Sequence, residues 1–330
     1  MVSPKSERVA QTERVLVIFP GALGDLVCLG PALRTLARRH RDATVELMAR
    51  EELARFAVDR IGFARIGFAR IGITRGHSID RREIAALFAE NPDLTGAARF
   101  FRPFTRIYSF FASDDARFRA ALEAAAAPGA VSVHAFRPAR RGHAAAGYLE
   151  EIGARGMLPD GHPDARIEVL PDDIAEARQA LARLGLGDTR VVLLFPGSSS
   201  AHKNWPAENF AALANALPPP LRALVMLGPA ERAIEPRLMP LLVARGVAWL
   251  RDQPLGTVAG LARIAAGFVG NDSGVSHLAA AAGAPGVAIF GPTDPDRWRP
   301  LGRVRVLWAL PLSDLTPAVV AAAVGGIIGI

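Results

Sequence analysis

Short apolar runs alternate with amphipathic stretches along most of the chain. Residues 14–20 form the first run, rich in the β-branched side chains that favour strands. After a glycine-containing turn, residues 26–40 have the periodicity of an amphipathic helix, which we expect Pro31 to kink or delay. A second strand is predicted at 45–49. The order strand, turn, helix, strand predicts a parallel α/β fold.

The remainder of the N-terminal half is predicted to be loop-rich, with strands at 107–111 and 131–134 and a helix at 143–152. Residues 60–75 contain three successive five-residue repeats, too few and too short for a solenoid. We predict that this repeat lies in a loop or edge strand and has no function of its own.

The α/β pattern restarts after a break near residue 170. A helix is predicted at 172–184, closed by Gly185. The further predicted elements are strands at 191–195, 223–227, 267–271 and 287–290 and helices at 206–217, 275–282 and 317–330. We therefore expect two Rossmann-like domains, 1–168 and 169–330, with a terminal helix at 314–330 that can pack back on the first domain.

The composition fits a folded protein, because half of the residues are hydrophobic and 22% are charged. No apolar run reaches the roughly 18 residues of a membrane span, and the polar start of the chain has no signal-peptide pattern. The single cysteine, Cys28, rules out an intrachain disulfide and a cysteine-based zinc site. A cytoplasmic protein is expected.

Charge is uneven along the chain. The net charge is +7, and residues 1–165 carry 24 basic and 19 acidic residues, a net charge of +5. This excess suggests an anionic partner such as a phosphorylated lipid or a membrane surface, although a solvated basic surface would look the same. Nucleic acid is not expected, because the arginines are scattered without interleaved aromatics. Of 39 basic residues only Lys5 and Lys203 are lysines, which draws attention to Lys203.

The loop at 195–206 has the strongest candidate chemistry. It offers backbone N–H groups, the hydroxyls of Ser198, Ser199 and Ser200, and the Lys203 ammonium, just before a predicted helix. Donors, positive charge and little bulk suit a phosphate or diphosphate, although the P-loop pattern is absent. An ordinary polar loop is the alternative.

The turn at 271–277 is the second candidate. Ser273 and Gly274 are predicted to begin a helix at the end of a strand, so their N–H groups would face a ligand. Asp272 can accept hydrogen bonds from hydroxyls, and His277 follows about one helical turn later. Alternatively, Asp272 or Ser273 is only a helix N-cap and His277 a buried support.

Two further carboxylates follow predicted strands. Asp25, beside Gly24, could be a general base at a position where glycine admits a ligand, or a helix cap. Gly21 and Gly24 do not complete a dinucleotide-binding fingerprint. Glu231 could contact both ribose hydroxyls of a nucleotide, or be an exposed residue at a helix start.

Together these loops resemble the ADP-heptose:lipopolysaccharide heptosyltransferase family, glycosyltransferase family 9. The order and spacing of the motifs agree over residues 14–300. The motifs are Gly24-Asp-Leu, Phe195-Pro-Gly-Ser-Ser, Lys203-Asn-Trp-Pro, Gly228-Pro-Ala-Glu, Asn271-Asp-Ser-Gly-Val-Ser-His and Gly291-Pro-Thr-Asp-Pro. The resemblance implies a GT-B architecture with a cleft between two Rossmann-like domains, the N-terminal one for the acceptor and the C-terminal one for the nucleotide sugar.

The resemblance also implies a role for each candidate residue. Asp25 would take the proton of the acceptor hydroxyl, with Gly24 beside it. The donor would be held by Ser198, Ser199 and Lys203 at the diphosphate with the Ser273 and Gly274 backbone, by Glu231 at the ribose, and by Asp272 at a sugar hydroxyl with His277 in support. The resemblance implies inverting transfer, and because Lys203 and the helix N-termini can supply the positive charge at the departing diphosphate, we expect it to need no metal or cofactor.

The predicted function is transfer of a heptose or related sugar, from ADP-heptose or another nucleotide-diphosphate donor, to a lipopolysaccharide core or related glycan. We also expect the N-terminal domain to approach the inner face of the cytoplasmic membrane through a basic surface with aromatics: Phe100, Phe101, Phe104, Phe110 and Phe111. The alternatives are a nucleotide-sugar-binding protein without catalysis and a sugar-nucleotide epimerase. An NAD-dependent oxidoreductase is disfavoured because its glycine fingerprint is absent.

Overall fold

The computed structural model describes residues 13–66, 69–138, 142–154 and 163–330. The polar start of the chain, where no signal peptide was expected, therefore lies almost entirely outside the described residues. The same holds for residues 67–68 of the five-residue repeat. Over the described part, strands alternate with helices and form two parallel sheets, which confirms the α/β fold.

The N-terminal sheet has five parallel strands in the order β5-β2-β1-β6-β7. Its strands are β1 Arg14–Ile18, β2 Thr44–Ala49, β5 Ile73–Ser78, β6 Arg106–Ser109 and β7 Val131–Val133. The repeat contributes the antiparallel pair β3 Ala64–Ile66 and β4 Ala69–Ile71. Four of the five residues of β1 are buried, as a central strand covered on both faces requires.

Among the described residues of this half, six helices accompany the sheet. They are α1 Leu23–Arg39, α2 Glu51–Ala57, α3 Arg82–Ala86, α4 Thr95–Phe101, α5 Ala116–Ala125 and α6 Ala144–Glu151. The expected effect of Pro31 on the start of α1 is wrong, since the helix begins at Leu23 and continues through the proline. The region predicted to be loop-rich does have long connections, but it also contains the helices α3, α4 and α5, which the sequence did not predict. These helices are short, so each shows too few turns for a clear period.

The expected aromatic surface is wrong as well. Phe101, Phe104 and Phe110 have no exposed surface, and Phe100 and Phe111 are partly buried against the core that the first two share with Phe118 and Leu122. Phenylalanine is more often inside than outside, and a sequence cluster of rings does not reveal which way they face. Only the basic charge remains as an argument for a membrane contact.

The C-terminal sheet has six parallel strands in the order β10-β9-β8-β11-β12-β13. Its strands are β8 Arg190–Phe195, β9 Leu221–Leu227, β10 Ala248–Arg251, β11 Gly267–Asn271, β12 Gly286–Phe290 and β13 Val304–Trp308. Its helices are α7 Pro171–Arg183, α8 Ala207–Ala216, α9 Glu235–Ala244, α10 Leu255–Ile264, α11 Gly274–Ala281, α12 Pro295–Trp298 and α13 Pro317–Ile328. The C-terminal strands and helices that the sequence predicts are all present.

The terminal helix α13 packs on the C-terminal sheet. Val320 and Val324 are buried in one core with Leu213 of α8 and Ile289 of β12. This differs from the expected packing on the N-terminal domain. An apolar helix directly after the edge strand β13 can cover the nearest open face of its own sheet without a long connection.

The chain divides into two compact units that are discontinuous in sequence. The first, here called the N-terminal unit, contains residues up to Pro20, Leu36–Val58 and Ala64–Phe136. The second, the C-terminal unit, contains Gly21–Thr35, Asp59–Phe63 and Arg137–Ile330. The expected division cuts the chain once, at residue 168, and so differs from this discontinuous division.

The contacts of Arg34 are one reason why the segment Gly21–Thr35 belongs to the second unit. Its guanidinium donates hydrogen bonds to the carbonyl oxygens of Phe63 at 2.7 Å, Asp164 at 2.7 Å and Arg166 at 2.6 Å. The Ile167 N–H in turn donates to Ala281 O of α11 at 3.0 Å. These bonds join the first half of α1 and its partner segments to the C-terminal unit.

Candidate functional site

Three of the predicted loops meet at one edge of the C-terminal sheet. Strand β8 lies between β9 and β11, and the loops that follow these three strands leave from their carboxyl ends. Neighbouring parallel strands end at the same edge, where α/β sheets bind ligands. The topology therefore brings together candidate residues that are far apart in sequence.

Lys203 and Asp272 form an ion pair between two of these loops. The distance from Lys203 Nζ to Asp272 Oδ2 is 2.7 Å, and the Thr293 hydroxyl donates to the same oxygen at 2.6 Å. The Asp272 side chain is only 8% exposed, whereas that of Lys203 is 24% exposed. Asp272 is therefore not merely a helix cap: it holds the Lys203 ammonium at the edge of the sheet.

Glu231 joins the loops after β8 and β9. Its Oε1 accepts a hydrogen bond from Gly197 N and its Oε2 one from Gly228 N, each at 2.8 Å. A Cβ on Gly197 would lie 2.5 Å from Oε1, so only glycine allows this approach. Burial raises the pKa of Glu231, although the two backbone donors act in the opposite direction. The expectation of an exposed glutamate is therefore wrong.

The serines of the first loop differ in their surroundings. Ser198 is buried, and its Oγ lies 2.6 Å from Asn204 Oδ1 and 2.8 Å from Ser200 O. The side chain of Ser199 is exposed. The Ser198 hydroxyl thus fixes the shape of the loop, while Ser199 presents its hydroxyl outward.

Asn271 at the end of β11 anchors the same loop. Its Nδ2 donates to Pro196 O at 2.7 Å, and its Oδ1 accepts from Trp205 N at 3.0 Å. The indole of Trp205 is fully buried. Both ends of the loop are therefore tied to the strand that carries Asp272.

Helices α1 and α11 begin side by side. A Cβ on Gly274 would lie 3.0 Å from Gly24 N, and one on Gly24 would lie 3.3 Å from His277 Cδ2. Ser273 is the N-cap residue of α11 but makes no capping hydrogen bond through its side chain. Two helix N-termini, whose first backbone N–H groups have no partner within their own helices, thus meet beside the donor loops.

Asp25 lies in the first turn of α1 and is largely buried. Its Oδ2 accepts a hydrogen bond from Ala22 N at 3.2 Å and lies 3.4 Å from Arg137 Nη2. The capping contact that the sequence left open is therefore present, and a guanidinium faces the same oxygen. Asp25 and Gly24 belong to the C-terminal unit together with Lys203 and Asp272.

His277 is buried behind these residues. Its Nδ1 lies 3.7 Å from Cys28 Sγ. Burial lowers its pKa to about 4, although the Asp272 carboxylate acts in the opposite direction. Burial also raises the pKa of the Cys28 thiol above its usual range. Both groups are neutral near pH 7, which suits a supporting role for His277.

The sequence did not single out Arg137 or Thr293 as site residues. Thr293 lies in the Gly-Pro-Thr-Asp-Pro motif after β12, so that motif was a usable signal. Arg137 is one of 37 arginines and stands outside every motif, so nothing in the sequence distinguished it.

Over the described ranges, no three or more His, Cys, Asp or Glu residues are grouped so that they could hold a metal ion. Within the same ranges, none of the helices has both the length and the apolar character needed to cross a membrane. Metal-independent transfer stays a prediction.

The two parallel sheets and their strand-end loops define an α/β protein of the GT-B glycosyltransferase fold. A glycosyltransferase family 9 structure from Veillonella parvula superposes with a TM-score of 0.75 at 19% identity, covering 96% of this chain and 97% of that one. An Escherichia coli ADP-heptose lipopolysaccharide heptosyltransferase II gives 0.68 at 19% identity, covering 96% and 98%. At these identities the likeness establishes the fold.

The sequence comparisons point to one family. The model described as glycosyltransferase family 9 (heptosyltransferase) matches residues 157–315, and over this part of the chain the predicted resemblance is confirmed. Lipopolysaccharide heptosyltransferase 1 of Escherichia coli is 29% identical over 149 residues. That alignment spans 44% of this chain and 44% of the relative.

Proposed function

We propose that the protein is a glycosyltransferase that moves a heptose or related sugar from a nucleotide-diphosphate donor to a hydroxyl of a glycan acceptor. The observation that carries this proposal is the meeting of the α1 and α11 N-termini at Gly24 and Gly274. This contact puts the Asp25 carboxylate into the same structural unit as the Lys203 ammonium. A sugar transfer needs both groups, a base for the acceptor and a cation for the departing diphosphate.

The donor end of the site suits a diphosphate. An ammonium has three N–H donors, and Lys203 uses one toward Asp272, so others can reach a phosphate oxygen. The backbone N–H groups at Ser273 and Gly274 add partial positive charge at the start of α11. We assign Ser198 and Ser199 to the diphosphate loop and Glu231 to the ribose hydroxyls. The remaining lone pairs of the Glu231 oxygens can accept those hydrogen bonds.

The acceptor end uses Asp25. In the proposed step its carboxylate takes the proton of an acceptor hydroxyl, and that oxygen attacks the anomeric carbon from the face opposite the diphosphate. The bond from the anomeric carbon to the diphosphate oxygen breaks, and the diphosphate leaves with its electron pair toward Lys203. The sugar configuration is inverted. Asp272 hydrogen-bonds a sugar hydroxyl, His277 supports the site as a neutral group, and no metal takes part.

The identity of the substrates rests on the relatives. The E. coli relative is described as a lipopolysaccharide heptosyltransferase, and one E. coli structure is described with ADP-2-deoxy-2-fluoro heptose. We therefore propose ADP-heptose as the donor and a lipopolysaccharide core or related glycan as the acceptor. We place the reaction in the cytoplasm, with peripheral contact to the inner face of the cytoplasmic membrane through basic residues of the N-terminal half.

Donor selectivity and Asp25→Asn test the proposal together. ADP-heptose should increase the unfolding free energy by RT ln(1 + [L]/Kd) and thereby raise the melting temperature, whereas other sugar nucleotides at equal concentration should not. Asp25→Asn should lower kcat by about 10²–10⁴-fold while donor affinity is retained. Donor binding without transfer in the wild type would favour a binding protein, and isomerised donor without acceptor would favour an epimerase. Near-normal kcat in Asp25→Asn would reduce Asp25 to a helix cap.

Flotation with anionic vesicles tests the membrane contact separately. Charge-driven association should be present at low salt and lost at about 1 M salt, where the Debye length falls to about 3 Å. No flotation at low salt would remove the membrane contact and leave the transferase proposal intact.

A further inference from the structure

His143 lies outside every motif of the site, yet both nitrogens of its ring have defined hydrogen-bond partners. It is the N-cap residue of α6, where Nδ1 accepts a hydrogen bond from Ala145 N at 3.2 Å. On the other side of the ring, Nε2 lies 2.8 Å from Arg299 O. A backbone N–H only donates and a carbonyl oxygen only accepts, so Nε2 carries the proton and Nδ1 does not. The contacts therefore define a neutral ring in one tautomer.

The bond to Arg299 fixes the end of the short helix α12. Arg299 is the C-cap residue of this four-residue helix, and it lies 156 residues from His143 in the sequence. A second bond, from Arg297 Nη2 to Pro138 O at 2.8 Å, joins α12 to the segment before α6. All these residues belong to the C-terminal unit. A single helical turn has too few internal hydrogen bonds to be stable alone, so α12 depends on such outside contacts.

The segment that contains α12 supports the candidate site at both of its ends. Near its start, the Thr293 hydroxyl donates to Asp272 Oδ2 at 2.6 Å. At its end, the Trp298 backbone faces the ring of His277: burial lowers the pKa of that ring, and the backbone acceptor acts against this effect. Two imidazoles, one from α6 and one from α11, therefore face consecutive carbonyls at the end of α12.

His277 connects this arrangement to the proposed base. A Cβ on Gly24 would lie 3.3 Å from His277 Cδ2, and Cys28 Sγ lies 3.7 Å from His277 Nδ1. Gly24 and Cys28 are four residues apart on α1, and Asp25 lies between them in the first turn. The start of α1 thus packs on the His277 ring. In a closely packed interior, a shift of that ring would move the Asp25 carboxylate with it.

We infer that His143 is a positioning residue, whose bond to Arg299 holds the end of α12 and so keeps His277 in place behind Asp25. This role rests on the proposed function, in which Asp25 is the base. The effect of His143 on His277 does not, so the two can be tested apart. Because a displacement of about 1 Å can lower a rate by about 10²-fold, partial loosening of this contact should lower kcat by about tenfold.

Two substitutions separate the two hydrogen bonds of the ring. Asparagine places an oxygen near the position of Nδ1, so His143→Asn keeps the cap of α6 and loses the bond to Arg299 O. Glutamine is longer and places an NH₂ group near the position of Nε2, so His143→Gln keeps the bond to Arg299 and loses the cap. A residue that only capped α6 would matter more in the second variant, whereas a positioning residue matters more in the first.

Kinetics with ADP-heptose and a lipopolysaccharide core, and calorimetry with ADP, measure the effect on the reaction. His143→Asn should melt close to the wild type and lower kcat by about tenfold, with the donor KM and the ADP affinity within about twofold. His143→Gln should melt at a lower temperature but keep kcat within about twofold. Wild-type kcat in His143→Asn, or an equal loss in both variants, would overturn the inference.

Thr316→Ala is the matched control. It removes the side-chain cap of another helix of the same unit, α13, where the Thr316 hydroxyl accepts from Val319 N at 3.4 Å. It should lower the melting temperature and leave kcat unchanged. A fall of kcat in Thr316→Ala as large as in His143→Asn would show that the rate follows stability alone, and would refute the positioning role.

Nitrogen-15 NMR of the histidine rings tests the geometry without turnover. In the wild type His143 should be protonated at Nε2 alone. Solvent exchange of the His277 ring N–H should be about tenfold faster in His143→Asn, but unchanged in His143→Gln and Thr316→Ala. Unchanged exchange in His143→Asn would refute the inference and leave the transferase proposal standing. If exchange changes as expected but the wild type transfers no sugar, the contact stands and the proposed function fails.

Discussion

Replacing Lys203 with alanine removes the ammonium that lies 2.7 Å from Asp272 Oδ2. The Asp272 side chain is 8% exposed, so its charge stays in largely dry surroundings with the Thr293 hydroxyl, 2.6 Å away, as the remaining contact of that oxygen. Removing one partner of a buried ion pair costs about 3–5 kcal/mol. Because the lysine side chain is 24% exposed, we expect a smaller loss of unfolding free energy, about 2 kcal/mol.

The same change should affect the reaction more strongly than stability. In the proposed mechanism Lys203 faces the charge that develops on the departing diphosphate, and loss of one such donor lowers kcat by about 10²–10³-fold. Lys203→Arg should restore part of this, since a planar guanidinium keeps the charge but not the geometry of an ammonium. Calorimetry with ADP measures the affinity of the diphosphate site, and steady-state kinetics with ADP-heptose measures kcat.

A double variant separates stability from function. Lys203→Ala combined with Asp272→Asn leaves no unpaired charge, so it should recover most of the lost unfolding free energy but not the ADP affinity. If folded Lys203→Ala binds ADP as tightly as the wild type and turns over at a normal rate, Lys203 does not contact the diphosphate and the donor assignment is wrong.

Three further outcomes are expected. Burial alone would raise the pKa of Glu46, but hydrogen bonds from His77 and Arg14 lower it to about 2 from 4.5. The carboxylate should therefore contribute about 3 kcal/mol to the unfolding free energy above pH 4.5, and this contribution should be lost as the pH falls toward 2. Glu46→Gln should lack this pH dependence in acid unfolding, and identical unfolding curves for the variant and the wild type would contradict the prediction. Glu231→Gln places an NH₂ group against a backbone N–H and should lower the unfolding free energy by about 2 kcal/mol, whereas the exposed control Glu208→Gln should change it little. Equal urea midpoints for the two variants would show that Glu231 does not stabilise the fold through Gly197 and Gly228. Transfer should proceed at the same rate in EDTA, and a loss that Mg²⁺ restores would exclude the metal-independent mechanism.

The sequence predicted the parallel α/β fold because the predicted C-terminal strands are short apolar runs, each followed by a glycine- or proline-containing loop. It also placed Lys203, Glu231 and Asp272 in loops at the carboxyl ends of strands. This works because parallel topology places strand ends at a common edge, whatever the details of packing.

Side-chain partners could not be predicted in the same way. Lys203 and Asp272 are separated by 69 residues, and their pairing depends on β8 and β11 being neighbours in the sheet. The burial of Phe101 depends on which side of α4 meets the core, which a seven-residue helix does not reveal, and Phe104 lies in the loop beyond the end of that helix. Arg137 reaches Asp25 across 112 residues without a local pattern.

The discontinuous units have a consequence for how such a protein can be recombined. The proposed base is encoded in the first tenth of the chain, yet it folds with the donor loops, because Gly21–Thr35 belongs to the C-terminal unit. A chimera that exchanges Ala64–Phe136 for the corresponding segment of a relative would replace most of the first unit and leave Asp25, Lys203 and Asp272 in the second unit unchanged. One cut near the middle of the chain would instead separate the base from the donor site. An internal segment of such a protein can thus be exchanged as one cassette without interrupting the residues of the proposed chemical step.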